Sequence, residues 1–132
     1  MNHRIAVGAL VGPLGVLMCR RLPSLQWYPG KWDFPGGNIE DGEAAGETLA
    51  RELLEEVNVR ITVPAEPPAF TVRANDGAID GLALEGRVLT EWSGVPANLA
   101  REEHDEIRWF TPSDARKIDL AHAVYADVLR QL

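Results

Sequence analysis

An α/β sandwich, a mixed sheet with helices on both of its faces, is the fold class that this chain predicts. Three observations lead there. Two early apolar runs with strand character are joined by a tight turn, one helical segment rich in Ala, Leu, Glu and Arg sits near the middle, and strand patterning returns before a helical end. The chain has 132 residues and 45% hydrophobic composition, which suits one domain with a real core over residues 1–132 and leaves no room for a second.

Taken in order, Arg4 to Val11 and Gly15 to Arg21 read as strands joined into a hairpin by Gly12-Pro13-Leu14-Gly15. Pro23 to Gly30 is a loop. Lys31 to Phe34 is a short strand entering the turn Phe34-Pro35-Gly36-Gly37, where Pro35 has no N–H for a sheet ladder and the paired glycines allow close backbone approach. Glu43 to Val57 contains no proline and predicts a helix, with Asp41 as N-cap and Glu43 in the first turn. Strands follow near Val59 to Val63, Ala69 to Ala74 and Leu82 to Trp92, with Asn75-Asp76-Gly77 as a turn, and Glu106 to Phe110 adds another. Pro112 to Lys117 and Ala121 to Leu132 close the chain as helices, the last carrying Val124, Val128 and Leu132 along one side.

Composition excludes several function classes. A net charge of −7 argues against binding nucleic acid polymers or anionic membranes, though not against a small phosphorylated substrate, because a metal ion reverses the local sign. Cys19 stands alone, which excludes a disulfide framework and points to a reducing, cytoplasmic compartment; its apolar surroundings suit a buried strand residue rather than a nucleophile. The apolar run from Ile5 to Cys19 is too broken by Gly8, Gly12, Pro13 and Gly15 to span a membrane.

The central helix carries the chemistry. At about 100° per residue, Glu52, Glu55 and Glu56 share one arc, while Leu49, Ala50, Leu53, Leu54 and Val57 occupy the opposite side. A glutamate-rich helix face is ordinarily a solvated one. Here Glu52 and Glu56 are like charges at i,i+4, and Glu55 and Glu56 fall in the last turn, where the helix dipole disfavours anions. Two local rules are broken together, as happens where function outweighs stability, and a divalent cation with a preference for oxygen donors turns that repulsion into ligation.

Gly37, five residues, Glu43, seven residues, then Arg51-Glu52-Leu53-Leu54-Glu55-Glu56-Val57-Asn58-Val59 resembles the Nudix box at every defined position but one. The departure is Asn58, where that family has glycine. The position follows the helix and wants a left-handed conformation, which asparagine tolerates next best. From about Arg4 to Leu132 the chain resembles the Nudix fold, and among its branches it is most similar to the MutT-type enzymes that hydrolyse nucleoside triphosphates. Arg20-Arg21, the Phe34-Pro35-Gly36-Gly37 turn, Glu91-Trp92-Ser93-Gly94 and Glu103-His104 ahead of Arg108-Trp109-Phe110 support that likeness.

The resemblance implies Mg²⁺, with Mn²⁺ as a substitute, ligated by Glu52, Glu55, Glu56 and the Gly36 carbonyl. Glu103, chosen over Glu102 and Glu106 for its distance from Trp109, completes the metal site from the loop before the late strand. One of Glu55, Glu56 and Glu103 is the water-activating base. Arg51, counted with the catalytic set, pairs with Glu43 to orient the glutamates. Arg21 is aimed at substrate phosphate, Phe34 lines the substrate site, and Tyr125 or Asp127 supplies a base contact from the closing helix. Trp27, Tyr28 and Trp32 either wall a base slot by stacking or belong to the core. His104 and His122 read as surface or hydrogen-bonded residues, since hard Mg²⁺ prefers oxygen.

The implied reaction is hydrolysis of a diphosphate linkage in a nucleoside diphosphate derivative, foremost a (d)NTP or oxidised (d)NTP, to the monophosphate and pyrophosphate. Nucleotide sugars and dinucleoside polyphosphates are the alternatives within the class, and a non-catalytic nucleotide-sensing module is the alternative outside it. The partner is a small nucleotide and the assembly a monomer or homodimer. MutT-type enzymes that select 8-oxoguanine read the base with an asparagine near the start of the closing helix. Ala121 to Asp127 contains none, so base preference is expected to be relaxed.

Overall fold

The computed structural model describes residues 3–74 and 81–132. The turn predicted at Asn75-Asp76-Gly77 lies outside them. In chain order the elements are β1 (His3–Gly12), β2 (Gly15–Arg21), β3 (Trp32–Asp33), β4 (Gly36–Asn38), α1 (Ala45–Val57), β5 (Phe70–Ala74), β6 (Leu82–Leu89), β7 (His104–Phe110), α2 (Pro112–Ala115) and α3 (Val124–Leu129). Among the described residues no helix is long and apolar enough to cross a membrane.

Strand β1 organises the sheet. It forms the predicted hairpin with β2, runs parallel to β6 from His3↔Leu82 to Leu10↔Leu89, and pairs antiparallel with β4 from Ile5↔Asn38 to Val7↔Gly36. Strand β5 extends the β6 side, while β3 and β7 flank β2. The parallel β1–β6 pair makes the sheet mixed, as predicted.

Alternation along β1 and β2 explains the layers. Ala6, Leu10, Leu17 and Cys19 face Leu49, Leu53 and Val57 of α1 in one buried cluster. Val7, Ala9, Val16 and Met18 face Ala115, Tyr125 and Leu129 of the closing helices in the other. Both faces of the sheet are covered, so neighbouring positions are apolar together.

Several boundaries differ from expectation, each for a physical reason. Helix α1 starts after Ala44, whose N–H donates to Glu47 Oε1 at 2.9 Å, so Asp41 is not its cap and Glu43 precedes its first turn. Leu54 is exposed and Glu56 buried, because the helix is rolled toward the glutamate side. The Phe34–Gly37 turn continues into β4, since glycine at 36 lets the chain lie against β1; a Cβ there would meet the Ala6 carbonyl at 2.0 Å. Val59 to Val63 is no strand: among the described residues its one pairing is the bridge Arg60↔Ser93, and Pro64 follows. Strand β6 stops at Leu89, where its parallel partner β1 stops pairing at Leu10, rather than reaching Trp92. In α3 the buried side is Tyr125 and Leu129 rather than Val124, Val128 and Leu132, because Tyr125 packs 4.4 Å from Phe34 and 6.0 Å from Phe70, ring centre to ring centre.

Candidate active site

The C-terminal half of α1 projects its glutamates over β4. Asn58 ends the helix with φ 61° and ψ 32°, the left-handed conformation expected of it, and its side-chain amide donates to the Val95 carbonyl at 3.2 Å. Arg51 is the hub. Its Nε donates to Glu43 Oε2 at 2.9 Å, its Nη2 to Glu43 Oε1 at 3.0 Å and its Nη1 to Glu52 Oε1 at 2.9 Å. This bidentate fork fixes direction as well as distance. Arg51, with help from the Thr48 hydroxyl at 2.6 Å, pulls the Glu43 carboxyl down to about 2.

Glu52 lies directly on the backbone of β4. A Cβ built on Gly37 would sit 2.4 Å from its carboxyl carbon, so the first glycine of the motif is there to admit the carboxylate. Burial raises the Glu52 pKa, against the opposing pull of Arg51. Glu56, 4% exposed, is pushed up to about 10, first by burial, then by Glu103 and Glu52, while the Gly36 N–H at 3.3 Å works the other way. Glu103 directly precedes β7, and its carbonyl accepts the Leu22 N–H at 3.0 Å, which ties its loop to the end of β2. The β2–β7 register slips between Arg20 and Arg21, so that Arg20 opposes Glu106 and Arg21 opposes His104. Such a slip re-aims side chains. One ligand atom each from Glu56, Glu103 and His104 lies within 4.8 Å of the others.

This donor set fits a hard divalent cation. Carboxylate oxygens of Glu56 and Glu103 converge beside a His104 nitrogen on a partly buried spot where burial first, and then the neighbouring carboxylates, hold Glu56 far above its ordinary range. The spot opens into a cleft of about 370 Å³, lined by Gly36, Gly37, Glu52, Glu56 and Glu103 together with His3, Trp27, Tyr28, Phe34 and His122, with Arg21 and Asp33 also on its wall. A larger hollow of about 630 Å³ lies between residues 61–69 and 87–91. It holds none of the converging carboxylates, so the smaller cleft is the one with chemistry.

The sequence-predicted residues divide cleanly. Glu52, Glu56, Glu103, Gly36, Arg21 and Phe34 all line the cleft. Glu55 stands outside that lining, its side chain 60% exposed and 3.5 Å from Arg51 Nη1. Arg51 supports the cleft from behind. Arg20 turns outward to Asp105 at 2.8 Å. Arg21 donates from Nε to the Trp27 carbonyl at 2.8 Å. Trp27 and Tyr28 wall the cleft, whereas Trp32 is core. Asp127 sits on the solvent side, 2.6 Å from Arg130, and Tyr125 is fully buried beneath the cleft with its hydroxyl on Asp33. Neither of these two reaches the cleft wall as expected, because α3 presents Tyr125 to the core and Asp127 to water. His104 and His122 are buried, not surface residues.

Sequence reasoning missed Asp33, His3 and the placement of His104. For Asp33 a signal existed, one acid inside the aromatic stretch Trp27 to Phe34. His104 depends on the strand slip, which no local pattern announces.

A mixed sheet is clamped between helices, with an arginine-braced glutamate helix over a glycine strand. A NUDIX domain model matches residues 1–132, and the chain belongs to that family: it is a Nudix hydrolase. The CTP pyrophosphohydrolase of Escherichia coli (strain K12) is 30% identical over 117 residues, 89% of this chain and 82% of the relative. Nucleoside triphosphatase NudI of Enterobacter sp. (strain 638) is 29% identical over 130 residues, 93% and 92% of the two chains. The MutT NUDIX hydrolase from Burkholderia pseudomallei shares the fold, with a TM-score of 0.79 at 20% identity over 100% of this chain and 98% of that one.

Proposed function

We propose that this enzyme hydrolyses a diphosphate linkage of nucleoside triphosphates, ordinary or oxidised, to the monophosphate and pyrophosphate, using Mg²⁺ with Mn²⁺ as a substitute. The observation that carries the reading is one cleft lined both by converging carboxylates and by aromatic rings. A polyphosphate needs the first and a nucleobase the second. Two relatives bear names in keeping with it, a CTP pyrophosphohydrolase and a nucleoside triphosphatase.

In this reading Glu52, Glu56 and Glu103, with the Gly36 carbonyl, hold the metal, and Glu55 joins them from the rim. When bound, the ion neutralises charge on the nonbridging phosphate oxygens. The remaining work belongs to the chain. Arg51 and Glu43 hold Glu52 in line, Gly37 gives it room, and Arg21 adds positive charge to the cleft wall for phosphate. One of Glu55, Glu56 and Glu103 takes the proton from the attacking water. The aromatic rings stack on the nucleobase, so oxidised guanine is selected at most modestly.

A panel of dCTP, dGTP, 8-oxo-dGTP and an ADP-sugar, each with Mg²⁺ and Mn²⁺ and with product identification, tests the proposal. Monophosphate and pyrophosphate from the triphosphates is the expected result. Activity confined to the ADP-sugar refutes the triphosphate class. A preference for 8-oxo-dGTP above roughly a thousandfold refutes the modest selection, and no turnover of any panel member refutes the proposed substrate class.

A further inference from the structure

Glu103 is followed at once by His104, and in a regular strand such neighbours project from opposite faces. Here both line the same cleft. The slip in the β2–β7 register is the cause: Arg20 opposes Glu106 and Arg21 opposes His104, which leaves Asp105 as the extra residue between them. The backbone of His104 is fixed twice. Its N–H donates to the Ala100 carbonyl at 2.9 Å, and its carbonyl accepts from the Asn98 side-chain amide, also at 2.9 Å.

A histidine buried for structural reasons has hydrogen bonds at its ring nitrogens. His104 departs from that pattern. It is 5% exposed, its Nδ1 is buried without a hydrogen-bond partner, and a ring nitrogen lies within 4.8 Å of one carboxylate oxygen from Glu56 and one from Glu103. Leaving a buried nitrogen unpaired costs free energy, and a cation shared with the two carboxylates removes that cost while relieving their repulsion. Taken alone, the two carboxylates suit a hard ion such as Mg²⁺, which discriminates against imidazole. First-row transition ions bind oxygen and imidazole together, with affinity rising from Mn²⁺ to Co²⁺.

We propose that His104 is a nitrogen ligand of the ion held by Glu56 and Glu103, so that this position selects a first-row transition ion over Mg²⁺. The inference rests on the metal-dependent reading above and goes beyond it by adding a ligand outside the glutamate set and by naming the class of ion that the set prefers. His104 decides which ion is held, and the carboxylates decide where.

The test uses the full chain with the metal alone and no nucleotide. Pulsed electron paramagnetic resonance of bound Mn²⁺ reads directly whether nitrogen is in its coordination shell, and the wild type is expected to show nitrogen modulation. Calorimetric titration should give Co²⁺ an affinity at least about a hundredfold above that for Mg²⁺. His104→Gln, which offers an amide oxygen over a similar reach, should abolish the modulation and lower Co²⁺ affinity about tenfold or more, while Mg²⁺ affinity stays within about threefold. Mn²⁺ bound to the wild type without nitrogen modulation overturns the proposal before any variant is made. So does an equal loss of Co²⁺ and Mg²⁺ affinity in a Gln variant whose circular dichroism matches the wild type, which would leave His104 a packing residue. The outcomes separate from those of the substrate panel: a missing nitrogen signal sinks the His104 role and leaves pyrophosphohydrolysis standing, whereas an inactive panel sinks the substrate class and leaves the ion selectivity as measured.

Discussion

The two groups of residues that line the cleft are built in opposite ways. On the glutamate side, Glu43, Arg51, Glu52 and Glu56 come from a single stretch spanning one helix, and local spacing brings them together. On the aromatic side, His3, Trp27, the adjacent Asp33 and Phe34, and His122 come from four separate places along the chain and meet because β1, β3 and the closing segment do. A site written on one helix tolerates change in the surrounding fold and none in its own spacing. A site assembled from distant segments is free to vary residue by residue, which suits it to setting specificity.

The sharpest way to break this comparison is at Glu56. Glu56→Gln keeps the shape and removes a ligand charge, and turnover should fall by roughly a hundredfold or more. Stability should move the other way. The folded-state pKa of Glu56 is raised from the ordinary 4.5 to about 10, so its contribution to metal-free stability is fully present below pH 4.5 and is lost as pH rises toward 10. Metal-free wild type should therefore melt progressively lower across that window, and the Gln variant should lose less. Near-normal Mg²⁺-dependent turnover in the variant would falsify the site.

Glu103→Gln tests whether the loop carboxylate belongs to the glutamate group. A drop in kcat of about ten- to a thousandfold is expected with substrate affinity within a few fold, while Glu102→Gln does little. If the two effects were exchanged, the neighbouring carboxylate would be the right one. Gly37→Ala probes spacing without removing any charge. The added methyl lands 2.4 Å from the Glu52 carboxyl carbon, so about a tenfold fall in kcat is expected through displacement of Glu52. Full activity would show that Glu52 has slack.

Trp27→Ala addresses the aromatic side. Loss of one stacking wall should raise KM by about three- to tenfold and leave kcat within about twofold; a fall in kcat at constant KM would place Trp27 in the chemistry instead. The smallest effect is expected from Glu43→Gln. The pKa of Glu43 is depressed from 4.5 to about 2, chiefly by Arg51. Its contribution to stability is therefore present above pH 4.5 and disappears as pH falls through 2. The melting difference between this variant and wild type should shrink over that window, and a difference that persists at pH 2 would mean that the Glu43–Arg51 pair is not its source.

The glutamate side was legible because its logic is helical. Repulsion between Glu52 and Glu56 at i,i+4, and acids in the last turn, are conflicts visible without coordinates. Glu103 was legible from its distance ahead of Trp109. The aromatic side was not, since Tyr125 and Asp127 are two residues apart on one short helix and nothing local says which of them faces the core. Val59 to Val63 misled for a related reason: β-branched residues describe a strand's side chains but supply no partner for its ladder.

By itself the sequence determined the α/β class, the hairpin, the helix bearing the glutamates and the left-handed exit at Asn58, because each rests on interactions among residues close in the chain. Tertiary structure decided the rest. The step from β3 at the edge of β2 to β4 beside β1 seats Gly37 under Glu52, the register slip in β7 brings His104 and Glu103 to Glu56, and the packing of Tyr125 against Phe34 holds Asp33 at the cleft wall. Strand pairing and ring packing join residues tens of positions apart, and their free energies depend on partners that no local window contains.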